Sequence, residues 1–228
     1  MNKVDDLHHL AITTADMNSN RILHRQLGMK LVALYCMHRI EKTWHGFLRL
    51  NDESALAFAC SPHIKNIPVK LRQTHTGNPG ANCTEGTMQH VALRVSNHEK
   101  LMAMRDRLRA RGVPVMGPMN HGMCVCMYFA GPENLPLERS YSQEPINQQA
   151  RIDPEIVQLA GINAEALHRA KQSADFADSQ GKIAQPNLIQ TQGPHMKNYP
   201  AGAYEASIAA PNDIIWSADD SQPPVKVV

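Results

Sequence analysis

An internal repeat is the feature that most constrains this chain. "HLAITTADMNSNRILHRQLGMKLV" begins at His9, and "HVALRVSNHEKLMAMRDRLRARGVPV" begins at His90. Each opens on a His-apolar-Ala-apolar alternation, the period of a half-buried strand. Each then reaches a helix-capping residue, Asp16 or Asn97, and an amphipathic stretch ending near Gly28 or Gly112. Strand-like segments follow: "KLVALYCMH", "TWHGFLRL" and "ALAFAC" in the first copy, "VPVMG", "CVCMYFA" and "LPLERSY" in the second. His9 and His90 stand 81 positions apart, and so do Leu56 and Leu137. One register therefore fits both ends of the repeat. Two βαβββ modules and an α+β fold are the expectation.

The modules are expected at residues 7–61 and 88–142, within a domain of residues 1–142. Between them, residues 62–87 are polar and carry Gly and Pro, as a long connection does that arches over a site. From residue 143 the character changes. "DPEIVQLAGINAEALHRAKQSADFAD" supplies one or two helices, with Asp153 and Asn163 as caps. Beyond it, Leu188, Met196, Tyr199, Tyr204, Ile208, Ile214, Ile215 and Trp216 are apolar anchors that a solvated tail does not need. Residues 143–228 thus read as an extended arm that packs on its own core or on a neighbouring subunit.

Composition narrows the function. The 228 residues carry 23 basic and 21 acidic side chains, a net charge of +2, so no strong field calls for nucleic acid or an anionic membrane. The first six residues are polar, unlike a secretory leader, and no apolar run has a spanning helix's length. Five cysteines without CxxC spacing read as reduced thiols, which points to the cytoplasm. Twelve histidines make metal or proton chemistry worth testing.

The ligand pattern follows from strand parity. His9, Ala11 and Thr13 share one face of their strand; His90, Ala92 and Arg94 share one face of its copy. The histidines occupy equivalent repeat positions. Glu138 lies in an apolar strand, and its repeat counterpart is Ala57. A carboxylate on a half-buried strand is costly unless it is paired or metal-bound. Two imidazoles and one carboxylate from three strands match the facial triad of non-haem Fe(II) sites. Mn(II) or Zn(II) would accept the same donors.

"HHLAI", "QHVAL" and "YFAGPENLPLE" together resemble the vicinal oxygen chelate superfamily: glyoxalase I, bleomycin-resistance proteins, epimerases and type I extradiol dioxygenases. The resemblance covers residues 7–142. It implies a cupped mixed sheet around a divalent metal held by His9, His90 and Glu138. The fourth protein ligand of the glyoxalase and epimerase branches would fall at or beside Ala57, where no residue binds metal. "HGMCVCMYFAGPENLPLE" is similar to the extradiol signature, with Gly131 for its usual Asp and Asn134 for its Gly. The resemblance implies His121 as acid/base and Tyr128 as a substrate-orienting donor. His75 and His45 are weaker candidates. The implied activity is an Fe(II)-dependent extradiol dioxygenase, an enzyme opening a catechol-type aromatic diol with O₂. The alternatives are a lyase, isomerase or hydrolase using Zn, Ni, Mn or Co, or a non-catalytic ligand-binding protein. Exposed sheet edges and a long arm favour a homodimer.

Overall fold

The computed structural model describes residues 6–18, 23, 26–37, 40–172, 181 and 183–226. The chain divides into two units. One comprises Asp5–Cys36 and Lys42–Ser173, and the other Met1–Val4, Met37–Glu41 and Ala174–Val228.

The first unit holds both modules. Strands β1 (His9–Thr14), β2 (Lys30–Cys36), β3 (Trp44–Arg49) and β4 (Ala55–Cys60) form a sheet ordered β1-β4-β3-β2. Strands β5 (Val91–Arg94), β6 (Val115–Asn120), β7 (Val125–Ala130) and β8 (Pro136–Tyr141) repeat it as β5-β8-β7-β6. In each sheet the first strand runs parallel to the last, and the remaining pairs are antiparallel. The fold is therefore α+β, with paired modules. It has two four-stranded mixed sheets, one from each module.

The 81-residue register holds through β3 and β7 as well as β4 and β8. It fails at the second strand, where β6 begins at Val115 and runs on to Asn120, past the segment "VPVMG". A bulge between Met116 and Met119 absorbs the irregularity. A Cβ on Gly117 would meet the Cys126 carbonyl oxygen at 2.9 Å, and φ there is +113°. Only glycine fits that corner.

Helix α1 (His98–Arg109) starts as expected: the Asn97 side chain accepts from the Lys100 N–H. It buries Leu101 and Leu108 completely. The matching helix of the first module falls mostly on residues outside the described ones. Of that segment, Leu23, Gln26 and Leu27 are helical, and Leu23 and Leu27 are buried. These leucines, Leu48, Leu56 and Phe58 of the first sheet, and Leu93, Met127, Phe129 and Leu137 of the second contribute to one apolar core. An exposed hydrogen bond also links the modules: the Ala15 N–H donates to the Glu133 side chain, Oε1, at 2.7 Å, joining the end of β1 to the β7–β8 turn.

Three short helices follow β8: α2 (Gln148–Arg151), α3 (Pro154–Leu159) and α4 (Ala164–Ala170). Asp153 and Asn163 cap α3 and α4, accepting from the Glu155 and Ala166 N–H groups. These helices belong to the unit of the sheets, so the compact body extends beyond residue 142. The other unit contains α5 (Ala203–Ala209) and α6 (Asn212–Trp216). There the Tyr199 and Tyr204 rings lie 5.2 Å apart, and Trp216 is 89% exposed. Among the described residues no helix is long and apolar enough to cross a membrane.

Candidate metal centre

Each sheet has one face toward the core and one face away from it. On β1, Leu10, Ile12 and Thr14 turn inward, while His9, Ala11 and Thr13 are exposed. β5 repeats the parity, with Leu93 buried and Ala92 and Arg94 exposed. Strand pairing sets the rows on the outer face of the second sheet. Ala92, Glu138, Tyr128 and Met116 form one row; Arg94, Ser140, Cys126 and Met119 form the next.

Glu138 is 5% exposed, and its partner is His90. The His90 Nε2 to Glu138 Oε2 distance is 2.8 Å. The other ring nitrogen, Nδ1, hydrogen-bonds Gln89 Oε1, which fixes the imidazole from behind. The Tyr128 ring stands edge-on to His90, 5.6 Å between centroids at 88°. Burial pushes the Tyr128 hydroxyl above its ordinary value, with help from the Cys126 thiol and the Glu138 carboxylate beside it. It therefore stays protonated, as a hydrogen-bond donor. Burial also raises the Cys126 thiol to about 11, against a smaller lowering by Tyr128. Cys124 is raised too, by burial and then by Glu138.

The β7–β8 turn places these groups. Asn134 adopts φ +62° and Glu133 φ +54°, so the Asn that replaces the signature Gly does take the left-handed conformation. A Cβ on Gly131 would lie 2.7 Å from Leu137 Cδ1, so a larger residue there would require the leucine to shift.

His9 occupies the equivalent position on the first sheet. Its Nδ1 hydrogen-bonds His8 Nδ1 at 2.7 Å, and its ring meets Phe47 at 5.6 Å. His45 lies nearby, between Tyr35 and Phe47, its imidazole pushed down by burial and by His9. Ala57 is fully buried in the row of Ala11, Phe47 and Ala33, so the first module offers no carboxylate. Among the described residues no three His, Cys, Asp or Glu side chains lie close enough to hold one ion. One chain thus brings His90 and Glu138 together and leaves His9 on the other sheet.

The remaining candidates lie apart. His121 sits exposed at the β6–β7 turn, its backbone N–H donating to the Cys124 carbonyl at 2.9 Å. His75 hydrogen-bonds Thr74 Oγ1 within the connection. That connection does reach the second sheet: Gly77, Asn78 and Pro79 line a cavity of about 350 Å³ with Tyr128, Met116 and Ala130. A second cavity, about 490 Å³, is bounded by Ala92, Arg94, Ser140 and residues 141–146. Sequence reasoning gave no role to Cys124, Cys126 or the residues of the second cavity. Parity along β7 places Cys124, Cys126 and Tyr128 on one face, and was the available signal.

The His–carboxylate pair fits a divalent cation by its donor chemistry: a buried acid beside an oriented imidazole. The model of the Glyoxalase/Bleomycin resistance protein/Dioxygenase superfamily matches residues 6–138. No curated protein sequence matches the chain. Several solved structures are similar in fold at low identity. A glyoxylase/bleomycin resistance protein/dioxygenase domain from Frankia sp. EAN1pec is 15% identical, covering 62% of this chain and 100% of its own, with a TM-score of 0.48. A point mutant of the fosfomycin resistance protein FosX from Listeria monocytogenes, complexed with Mn(II) and 1S,2S-dihydroxypropylphosphonic acid, is 14% identical, covering 65% and 100%, at 0.44. TnmS3, an antibiotic binding protein from Streptomyces sp. CB03234, is 13% identical, covering 61% and 98%, at 0.42. With its family model spanning both modules, from before the first histidine strand to Glu138, the chain belongs to the Glyoxalase/Bleomycin resistance protein/Dioxygenase superfamily.

Proposed function

We propose that the protein is an Fe(II)-dependent extradiol dioxygenase acting on a catechol-type diol, with His9, His90 and Glu138 as metal ligands. The observation that carries this reading is the buried Glu138 carboxylate, 2.8 Å from His90 and in register with Tyr128. A bound Fe(II) would supply chelation of the vicinal diol and activation of O₂ at its open positions. The protein's residues do the rest. His90 and Glu138 hold their geometry through Gln89 and the strand register. Tyr128 donates a hydrogen bond to a diol oxygen. Gly77, Asn78 and Pro79 narrow the approach over Tyr128. In the net reaction both oxygen atoms enter the product and the C–C bond beside the diol breaks. One of its carbons becomes a carboxylate and the other a carbonyl, with no outside reductant. His121, exposed at the β6–β7 turn, makes no hydrogen bond or ion pair with this pair among the described residues, and in this reading it serves as acid/base only if the second copy brings it to the site.

The third ligand comes from a second copy in this reading. The outer faces of both sheets are open, while their inner faces feed one core. Two copies laid face to face would set His9 of one against His90 and Glu138 of the other, making a homodimer with two sites. Metal analysis of anaerobically purified protein, followed by O₂ uptake with a catechol panel, tests the activity. Turnover without O₂ would replace it with a metal-dependent isomerase or hydrolase. Mixing His9→Ala with Glu138→Ala subunits tests the shared site. Each variant alone is inactive, and the exchanged mixture regains roughly a quarter of wild-type activity, since half the dimers are mixed and each has one intact site. No recovery after proven exchange removes the shared site.

A further inference from the structure

We propose that Arg94 reads a carboxylate on the substrate, so that the ring opened here is an acidic diol. This rests on the ring-cleavage reading of the same face. His90, just before β5, and Ala92 and Arg94 on it alternate in sequence, and Ala92 and Arg94 are exposed cross-strand neighbours of Glu138 and Ser140. Arg94 is therefore one face position beyond the Glu138 row, about 7 Å along the strand. That step is comparable with the span of one benzene ring bearing a carboxylate. Ala92, between His90 and Arg94, carries only a methyl group, so the path along the face is clear. The cavity of about 490 Å³ begins there, bounded by Ala92, Arg94 and Ser140.

Arg94 is the cation of that cavity, and among the described residues its guanidinium takes no hydrogen bond or ion pair. Ser140 adds a hydroxyl in the same row. A guanidinium fork beside a hydroxyl matches a planar carboxylate in shape and charge. Glu144 also lines the cavity, on the segment after β8, and is exposed. It opposes an anion from the rim without engaging Arg94, so it sets the size of the preference rather than its sign.

The test compares 3,4-dihydroxybenzoate with its methyl ester, which keeps the diol and the shape but not the charge. Wild-type kcat/KM favours the acid by roughly 10-fold to 100-fold, the worth of one charge-assisted hydrogen-bonded pair. Arg94→Met brings the ratio toward one, Arg94→Lys keeps part of it, and Glu144→Gln raises it. Benzoate, which has no diol, is titrated into metal-free protein by NMR as a readout independent of turnover. It binds the wild type more tightly than Arg94→Met. If acid and ester are opened equally well and benzoate ignores Arg94, the subsite is wrong while ring cleavage stands. If no diol is opened but benzoate binding still depends on Arg94, ring cleavage falls and the anion subsite remains.

Discussion

Strand β4 reads Ala-Leu-Ala-Phe-Ala-Cys, and strand β8, 81 positions later, reads Pro-Leu-Glu-Arg-Ser-Tyr. The two occupy the same place in the same sheet plan, each paired with a parallel first strand and an antiparallel third. On the outer face the row Ala11, Ala57, Phe47 becomes Ala92, Glu138, Tyr128. On the inner face the buried Phe58 becomes the buried Arg139. The duplicated frame thus tolerates very different side chains, provided the register holds. The first sheet keeps its row for packing. The second gives up apolar contacts and gains a paired acid and a phenol donor. Among the described residues the buried charged side chains, Glu138 and Arg139, both lie in the second module, and its acid has a partner.

The comparison breaks most visibly at Glu138. Glu138→Ala restores the first-sheet residue, and metal content and activity should fall more than about 100-fold, beyond what losing an outer-shell partner costs. Full metal loading in that variant would remove the ligand set. The reverse transplant, Ala57→Glu, places an acid in a fully buried position beside Phe47 with no designed partner. It should destabilise the fold by about 3 kcal/mol, read as a lower Tm. An unchanged Tm would show that the asymmetry is not a packing constraint. Tyr128→Phe, again the first-sheet residue, should retain metal and lose rate by about 10-fold, the worth of one hydrogen bond to a charged oxygen. A matching loss of metal would make Tyr128 structural.

Arg139 sharpens the comparison at the smallest scale. It sits between Leu93 and Met127 across the ladder, with its Nε unpartnered. Burial holds its guanidinium down to about 10 from 12.5. A base with a depressed folded value costs stability at every pH below that value, and the cost is relieved as pH rises from about 10 toward 12.5. Arg139→Met should therefore raise stability by about 1 kcal/mol at neutral pH, with the gain shrinking above pH 10. Thermal unfolding at pH 7 and pH 10.5 checks both parts. A loss of stability at pH 7 would mean that the guanidinium has a structural partner.

Much of this was legible in the chain. The alternation around His9 and His90, the caps at Asn97, Asp153 and Asn163, and the left-handed Asn134 all rest on local geometry, which nearby residues settle. The apposition of Glu138 with His90 was also readable, because strand parity puts both on one face. Strand β6 was less so: its bulge depends on how Gly117 meets Cys126 on the neighbouring strand, which no local pattern encodes. The burial of Arg139 was hidden too, since an arginine in a strand ordinarily faces solvent.

The sequence by itself determined two βαβββ modules in one register, the face on which each histidine lies, and the single carboxylate among them. Periodicity and repeat offset suffice for that, because they are properties of neighbours along the chain. Only the tertiary structure decided that His9 stays on a separate sheet, away from the His90–Glu138 pair. The reason is physical: which sheet faces turn toward each other depends on where the shared core of Leu56, Phe58, Leu101 and Leu137 closes, and that core draws on residues far apart in the chain.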